Sequence, residues 1–566
     1  MRDKKWHWKK SRLGWVLVTS IITIQACGGP APPTDDTASA SLGEAPSNIT
    51  AETLRNHVAR LSDDEMEGRS PGSAGTRLAR QYLAEAMASY GLDPAFDGQW
   101  EQTFDLVGIT SQAPETWKFE GAGQSLELEF YKEFIASSGV QAETSQIDNA
   151  DLVFVGYGIQ APEYGWDDYK GADLAGKVLV MLNNDPDWDA SLFEGDKRLY
   201  YGRWDYKYEI AAAKGAAAAI IIHTTSSAGY PWQVVQTGWT GAQFELPAGD
   251  ESRIQIASWV TEEAARRLAA LAGQDLDALL ASAKSTEFEP VNLGLVTSLS
   301  LSNTLEEVDG ANVGGLLPGS DPALQDQVVV FSAHHDHMGI GEPNADGDDV
   351  YNGARDNASG SAAVLAIAEA FAQQPTAPAR SLLFLFVDGE EQGLLGSEYF
   401  AQNPIVEPGR IAANINIDGA NIWGRARDIA LVGFGKSSLD AVVQQIAEAQ
   451  GRVVKPEQFP DKGHFYRSDQ FNFAKIGVPA IYTDNGVDFV DRPSGWGKDE
   501  IDTWVETHYH QPSDELNDSW NFDGFVEDTL LHYEAGRIIA ESAELPAWHA
   551  GDEFEATRLE ALAELE

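Results

Sequence analysis

Three apolar runs in the second half of the chain each end directly before a histidine or an aspartate. The runs occupy residues 327–333, 381–387 and 411–417. Because their apolar residues are mostly continuous rather than alternating, they predict strands of a largely parallel sheet that is buried on both faces. The carboxyl ends of such strands meet at one edge of the sheet, where loops form ligand sites. The sequence therefore predicts an α/β fold whose functional residues lie at that edge.

The side chains near these strand ends include candidate metal ligands. Imidazole nitrogen and carboxylate oxygen suit zinc, and three protein ligands per ion leave a position open for water. Five side chains can hold two ions if one carboxylate bridges them, and Asp356, just before a helix start made of small residues, is the expected bridge. His334 and Asp418 would complete one site, and Glu391 and His510 would complete the other.

Further carboxylates next to these ligands are candidates for proton chemistry and for orienting histidines. Glu390 directly precedes a predicted ligand, and adjacent side chains on an extended loop point in different directions. We therefore predict that Glu390 stays free of metal and acts as the general base. Asp336 is expected to accept the N–H of the His334 imidazole and fix its tautomer, and Asp514 is a weaker candidate to do the same for His510.

These segments resemble the motifs of the co-catalytic dizinc exopeptidase family, which includes bacterial leucyl aminopeptidases and, more distantly, glutamate carboxypeptidase II. The matching segments are AHHD at 333–336, GARDNASG at 353–360, EEQGLLGS at 390–397, Asp418 after its strand, and YHQPSD at 509–514. Five motifs in this order and at these spacings do not arise readily by chance. On them the chain is identified as similar to this family.

The resemblance implies a three-layer peptidase domain, in which helices flank a mixed, largely parallel sheet. It also implies two zinc ions per chain, although manganese or cobalt suits the same ligands. The implied activity is that of an exported aminopeptidase, which removes N-terminal residues from peptides by attack of a metal-bound hydroxide with Glu390 as base. Tyr509 resembles the residue that polarises the scissile carbonyl, and Arg467 resembles one that holds the peptide backbone. A cis peptide bond is expected between Asp356 and Asn357.

A length of 566 residues favours more than one domain. We assign residues 49–140 and 290–545 to a discontinuous peptidase domain, residues 141–275 to a smaller inserted α/β domain, and residues 546–566 to an acidic C-terminal tail. The inserted segment resembles the protease-associated domain often found in such peptidases, through GYG at 156–158 and GAAAAIII at 215–222. Its expected role is to roof or gate the active site, and the alternative is a spacer without direct effect.

The first 27 residues have the pattern of a signal peptide. A basic segment precedes the apolar stretch 13–24, which is too short to span a membrane, and the only cysteine, Cys27, follows. The letters IQAC resemble a bacterial lipobox, so we expect a lipid on Cys27, and an ordinary cleaved signal is the alternative. Residues 28–48 predict a flexible tether. The expected location is the outer membrane, facing the periplasm or the cell surface.

The net charge and the presence of all candidate metal ligands argue against several other functions. A formal net charge of -49 argues against nucleic acid as a partner and leaves peptides as the expected substrates. A carboxypeptidase on the same scaffold would need basic residues for a terminal carboxylate, and a glutaminyl cyclase would use one working zinc. A receptor-like protein without catalysis would lack ligands, whereas all five candidates are present. We assign the other histidines near the motifs as solvated or hydrogen-bonded neighbours: His335, His337, His464 and His508.

Overall fold

The structure is a computed structural model that describes residue 43 and residues 45–565. The predicted signal peptide, Cys27 and most of the predicted tether lie outside these residues. Within the described part of the chain, no helix has both the length and the apolar composition that crossing a bilayer requires.

The strands are short except for one. Their bounds are β1 Asp93–Pro94, β2 Glu101–Gln112, β3 Thr116–Gly121, β4 Gln124–Glu129, β5 Phe134–Ser138, β6 Thr144–Phe154, β7 Gln160–Ala161, β8 Trp166–Asp167, β9 Val178–Leu182, β10 Ala218–His223, β11 Ala242–Glu245, β12 Ile256–Thr261, β13 Val291–Leu317, β14 Val328–His334, β15 Gly339–Ile340, β16 Val350–Tyr351, β17 Ser381–Val387, β18 Ile411–Asn416, β19 Asp428–Leu431, β20 Val453–Pro456 and β21 Ala480–Asp484.

The helices begin and end where local chemistry favours it. Thr50 caps the first helix by accepting a hydrogen bond from the N–H of Thr53, and Gly91 ends the second in a left-handed conformation. The bounds are α1 Ala51–Leu61, α2 Ala74–Tyr90, α3 Trp204–Ala213, α4 Thr225–Ala228, α5 Trp232–Gly238, α6 Glu262–Leu271, α7 Leu276–Ala283, α8 Ser359–Ala372, α9 Leu395–Gln402, α10 Leu439–Ala449, α11 Gln470–Lys475, α12 Trp496–Thr507, α13 Asp523–Glu541 and α14 Glu555–Ala563.

The main sheet has a parallel centre. Strands β17, β14, β18 and β21 run parallel in that order, while β13 and β19 pair antiparallel with the outer two. Every residue of β14 and β17 is buried, as expected for strands covered on both faces. Helices α1, α2, α8 and α13 pack in the core on one face, and α9 and α11 contribute to the core on the other. The predicted mixed, largely parallel sheet with flanking helices is confirmed.

Residues 141–275, which we call the insert, contain a second parallel arrangement. Strands β6, β9, β10 and β12 run parallel in that order, and β5 pairs antiparallel with β12. The core around them also includes Trp117 and Phe134, which precede the insert, and Leu293 and Leu299, which follow it. The packed unit is therefore larger than the predicted segment. Its identification as a protease-associated domain stays a prediction.

One strand links the insert to the main sheet. Strand β13 is 27 residues long and has five antiparallel partners, of which β3 and β1 pair with it over two residues each. It pairs with β6 over residues 291–302, with β2 over 302–313 and with β17 over 313–317. The same strand thus belongs to both parallel arrangements.

The C-terminal segment packs against the main sheet domain. Trp548 is buried and donates its indole N–H to the carbonyl of Gly477 at 2.9 Å. Arg558, on α14, is 2% exposed and donates to the carbonyl of Ile411, at the start of β18, at 3.0 Å. Up to residue 565, the segment assigned as an acidic tail is therefore part of the folded body.

Candidate metal centre

The predicted ligands lie at the carboxyl edge of the main sheet. His334 is the last residue of β14, Glu391 lies in the loop after β17, and Asp418 follows β18. Asp356 precedes α8, and His510 follows α12. Chain segments that are up to 176 residues apart therefore place their imidazole and carboxylate groups at one edge, as the strand pattern predicts.

Asp356 lies at the centre of this cluster. Its Oδ1 is 3.3 Å from Nε2 of His334, and its Oδ2 is 3.4 Å from Nε2 of His510. Asp418 places Oδ1 3.2 Å from the same nitrogen of His334, and Glu391 places Oε2 2.9 Å from that of His510. The two oxygens of Asp356 therefore face different histidines, and each histidine has a second carboxylate of its own.

The donor atoms fit zinc. Two ligands bound at about 2.0–2.1 Å to one tetrahedral ion lie about 3.4 Å from each other. The separations of 3.3 and 3.4 Å from Asp356 to the two histidines and of 3.2 Å from Asp418 to His334 agree with that spacing, and the 2.9 Å from Glu391 to His510 is shorter. Neither ring nitrogen of the buried His510 has a hydrogen-bond partner, so a cation would satisfy an otherwise orphaned polar group.

His337, predicted from the sequence as a solvated or hydrogen-bonded neighbour, contacts one of the predicted ligands. Its Nδ1 is 2.6 Å from Oε1 of Glu391, and its ring is fully buried 5.8 Å from the ring of His510. His337, Asp356 and Glu391 also form a group of donor atoms close enough to hold an ion. His337 is therefore a hydrogen-bonded neighbour that orients Glu391 and that can also compete as a ligand.

Asp336 connects two of the ligand loops. Its carboxylate accepts the backbone N–H groups of Glu390 at 3.0 Å and Glu391 at 3.3 Å. Its Oδ1 lies 3.7 Å from Nδ1 of His334, and that nitrogen is closer, at 3.3 Å, to the main-chain oxygen of Asp336. The main-chain oxygen of Asp336, rather than its carboxylate as predicted, is therefore the acceptor nearest to the His334 ring, and the carboxylate holds the loop that carries the two glutamates.

Asn357 connects two other loops and was not singled out from the sequence. Its amide oxygen accepts the N–H groups of Gly360 and Gly419, and its amide nitrogen donates to the carbonyl of Ile417. These contacts tie the Asp356 loop to the residues on either side of Asp418. The peptide bond between Asp356 and Asn357 is cis, as the resemblance implies. The only indication of this role in the sequence was the position of Asn357 inside the GARDNASG motif.

Asp514 holds a main chain rather than a histidine. Its carboxylate accepts the N–H groups of Arg355 and Asp356, both at 3.0 Å, and its carbonyl accepts that of Ala354 at 3.0 Å. Because Nδ1 of His510 has no hydrogen-bond partner, the expectation that Asp514 orients this ring is wrong. The four-residue spacing suggested contact, but the backbone N–H groups of the Asp356 loop are the nearer donors.

Two carboxyl groups of the cluster have pKa values that are shifted in opposite directions. Burial, opposed by His334 and reinforced by Asp418 and Glu391, raises the pKa of Glu390 well above its usual range. In Asp356, burial is outweighed by hydrogen bonds with the two histidines, and its pKa is lowered. A carboxyl group with a raised pKa can take part in proton transfer, and one with a lowered pKa stays ionised and can bind a metal. An oxygen of Glu390 also lies near His334 and Glu391, so its freedom from metal stays a prediction.

A cavity adjoins the cluster and contains both predicted substrate-side residues. It is lined in part by Glu390, Asp418, Tyr230, Arg467 and Tyr509. Burial raises the pKa of Tyr509 and is opposed by the charge of Arg467, whose guanidinium carbon lies 5.3 Å from the centre of the Tyr230 ring. Among the described residues, Arg467 forms no ion pair, including with its neighbour Asp469. The guanidinium is therefore available to a polar group in the cavity.

The insert closes one side of this cavity. Tyr230, in the insert, lines it, and Gln233 on α5 donates to the carbonyl of Glu506 on α12 at 2.5 Å. On the other side of the cluster, the N–H of Phe244 on β11 donates to the side chain of Gln392 at 3.0 Å, one residue after the predicted ligand Glu391. The insert thus contacts the loops of the metal centre at two places.

Part of the chain matches a known protein family. Residues 312–533 match the model of peptidase family M28. Leupeptin-inactivating enzyme 1 of Streptomyces exfoliatus is 27% identical over 242 residues, which are 42% of this chain and 49% of that protein. A vacuolar membrane protease of Verticillium alfalfae is 36% identical over 99 residues, 17% of this chain and 8% of that protein. The chain therefore spans less than half of the length of these curated relatives.

A solved structure shares the fold over nearly the whole chain. The aminopeptidase from Aneurinibacillus sp. strain AM-1 superposes with a TM-score of 0.52 at 20% identity, covering 88% of this chain and 96% of that one. The matched family segment spans β14, β17 and β18 and all five predicted ligands. Residues 312–533 therefore match peptidase family M28, and with its candidate metal ligands this part of the chain is a metallopeptidase domain.

Proposed function

We propose that this protein is a two-zinc aminopeptidase that removes N-terminal residues from peptides. The observation that carries the proposal is the position of Asp356, whose two carboxylate oxygens face the two histidines at 3.3 and 3.4 Å. A carboxylate in this position would suit two ions, with His334 and Asp418 as the further residues that would hold one and His510 and Glu391 those that would hold the other. The surrounding hydrogen bonds of Asp336, Asn357 and Asp514 keep the ligand loops in place.

The residues around the cavity have distinct roles in the proposed reaction. Zinc at the cluster would polarise the scissile carbonyl and lower the pKa of water. Glu390, whose pKa is raised, accepts a proton from the attacking water and delivers it to the leaving amine. Tyr509 directs its hydroxyl to the oxygen that becomes negatively charged, and Arg467, which lines the same cavity, holds the peptide backbone.

Carboxylates in the cavity support the choice of an aminopeptidase. A free α-amino group is positively charged and binds best next to carboxylates. Glu390, Asp418 and Asp484 all line the cavity. The solved structure described above with the same fold is also named an aminopeptidase.

A carboxypeptidase is the second candidate, because the cavity also contains cations. Arg467 lines it without an ion-pair partner among the described residues. Two other cations there are already engaged: Arg355 donates to the carbonyl of Ala420, and Lys462 lies 3.5 Å from Asp502. One unpaired guanidinium is what a substrate's terminal carboxylate would need.

Hydrolysis of matched peptides tests the two candidates. We would compare peptides with a free amino end and a blocked carboxyl end, peptides blocked in the opposite way, and both again with Glu390→Gln. The aminopeptidase predicts cleavage of the first set only, with a loss of about 10²–10⁴-fold in kcat in the variant and no change in zinc content. Cleavage confined to the second set would establish the carboxypeptidase, and no cleavage of either by the zinc-loaded protein would refute both.

We also propose that the chain is exported and held at the outer membrane by a lipid on Cys27. The support is the basic segment, the apolar stretch and the IQAC letters at the start of the sequence. In this arrangement the insert, which contacts the loops around the cavity, acts as a roof that limits the size of the peptide that can enter. The lipid anchor concerns where the enzyme acts, and the roof concerns which peptides it can cleave.

A further inference from the structure

The segment before α2 contains an arginine in an unusual position. Glu67, Gly68 and Arg69 have φ values of 48°, 61° and 53°, so three successive residues are left-handed. Such a conformation costs roughly 1–2 kcal/mol for a residue with a side chain and persists only where its surroundings enforce it. A Cβ on Gly68 would lie 2.4 Å from the carbonyl oxygen of Gly339, on β15. The segment is therefore pressed against the loop that follows His334.

The side chain of Arg69 is completely buried and is bonded only to main chain. Nε donates to the carbonyl of His335 at 2.8 Å, and Nη2 donates to that of Gly353 at 3.0 Å. Nη1 donates to the carbonyls of Leu61 at 2.6 Å and Asn352 at 2.7 Å. The main-chain oxygen of Arg69 also accepts the N–H of His337 at 3.3 Å. Within the described chain no carboxylate forms an ion pair with Arg69.

The accepting carbonyls belong to the two loops that carry His334 and Asp356. His335 directly follows His334, and Gly353 lies three residues before Asp356. The planar fork of a guanidinium fixes the relative positions of the groups to which it donates, which a flexible ammonium cannot do. We infer that Arg69 is a positioning residue of the metal centre, which sets the separation of His334 from Asp356 through their main chains. The inference rests on the proposed function.

The positive charge of Arg69 supports the same positioning role. Burial lowers its pKa to about 10, opposed by Asp336, Asp514, Asp356 and Glu391, so the guanidinium stays charged at neutral pH. A positive charge beside these buried carboxylates offsets part of their mutual repulsion. Arg69 touches neither the cavity residues nor the donor atoms, so its effect is on ligand geometry and not on substrate.

The test compares Arg69→Lys with a matched substitution away from the centre. Arg380 is equally buried, precedes the amino end of β17, and donates to the carbonyls of Ile539, Ser542 and Glu544. Both lysine variants of the full-length protein would be measured for zinc dissociation constant by chelator competition and for unfolding temperature without zinc. We expect both to unfold at lower temperature, and only Arg69→Lys to bind zinc about 10- to 100-fold more weakly.

The outcomes separate this inference from the proposed function. Native zinc affinity in Arg69→Lys, or an equal loss in Arg380→Lys, would overturn the inference and leave the metallopeptidase assignment intact. A native protein that binds no zinc at all would overturn the proposed function and the inference together. Zinc weakened in Arg69→Lys alone would support both.

A milder variant replaces Arg69→Lys if that protein does not fold. Asn352 is 2% exposed, and its amide donates to the carbonyl of Ser62 and the carboxylate of Asp64, both at 2.9 Å. Asn352→Ala removes this second link between the same segments and leaves Arg69 in place. We expect about 10-fold weaker zinc binding in Asn352→Ala, and unchanged affinity in this folded protein would overturn the inference.

Discussion

At the scale of single residues, the centre depends on unequal roles for similar groups. Asp356 and Asp418 are both carboxylates next to His334, at 3.3 and 3.2 Å from the same nitrogen. Only Asp356 also faces His510. A single aspartate therefore couples the two halves of the centre, whereas Asp418 serves one half.

This difference predicts unequal loss of metal. We expect the native protein to retain two zinc ions per chain after dialysis, Asp418→Asn to retain about one, and Asp356→Asn to retain less than one, because an amide is a much poorer bridging ligand. Zinc content by elemental analysis, normalised to protein, measures this directly. Equal zinc content in the two variants would contradict the bridging role of Asp356.

Asp326→Asn supplies the control for that experiment. This aspartate is exposed and lies before β14, 3.9 Å from Arg410 and away from the cluster. Asp326→Asn removes the same charge as Asp418→Asn and Asp356→Asn. We expect it to keep the native zinc content, since exposed ion pairs contribute little to the fold.

At the scale of elements, the sequence predicted the centre because strand ends and ligands coincide. The apolar runs that end before His334, Asp388 and Asp418 are observed as β14, β17 and β18 within about one residue at each end. Parallel strands bring their carboxyl ends together by geometry alone, so ligands far apart in sequence could be assigned to one site. The helices α1 and α2 also have the apolar spacing of amphipathic helices, so their presence could be predicted from the sequence.

What could not be predicted depends on main-chain groups and on packing between distant segments. The contacts of Asp514 and Arg69 are with backbone N–H and carbonyl groups, which every residue has and which therefore leave no pattern in a sequence. The extent of the insert was also hidden. Strands β3, β4 and β5 alternate between buried and exposed positions or are short, and only their partners reveal which core they join.

One contact between elements predicts a dependence of stability on pH. His532 on α13 is 4% exposed and hydrogen-bonds with Thr483 on β21 at 2.8 Å. Burial, with Arg452 nearby, lowers the pKa of His532 to about 3. The unfolded chain, with a pKa of about 6.5 at this residue, takes up the proton first as the pH falls. The stability present above pH 6.5 is therefore lost progressively toward pH 3.

The expected size of this loss can be measured. Between pH 7 and pH 5, His532 should reduce the free energy of unfolding by about 2 kcal/mol. Urea unfolding of the native protein, His532→Gln and the exposed His549→Gln at both pH values isolates the effect. We expect the decrease to be smaller by that amount only in His532→Gln, and identical decreases in all three proteins would refute the assignment.

At the scale of the whole molecule, three parts of the chain converge on one face. The main sheet supplies the ligands, the insert closes one side of the cavity through Tyr230, and the N-terminal segment packs against the loop after His334. The C-terminal segment is bonded to the start of β18, on the opposite edge of the sheet. The N-terminal segment thus contacts the candidate centre directly, whereas the C-terminal segment supports the sheet from the edge away from it.

The predicted lipid on Cys27 makes the location of the protein testable. Expressed in a bacterium with two membranes, the native chain should fractionate with membranes and be released by detergent, because a lipid on the first mature residue anchors it. Cys27→Ser should move the protein to the soluble fraction with its peptidase activity unchanged. Membrane association that persists in Cys27→Ser would rule out this mode of attachment.

Strand β13 limits how the cavity can open. It pairs with β6 on the side of the insert and, without interruption by a loop, with β17 beside the metal centre. A swinging lid needs a hinge, which is a short stretch whose backbone torsions can change freely. The pairing of β13 is irregular only between residues 292 and 299, and elsewhere each change of torsion would break several backbone hydrogen bonds at once. For the proposed peptidase we therefore expect substrate exchange to use local movements of the loops that face the cavity, with the insert as a fixed wall.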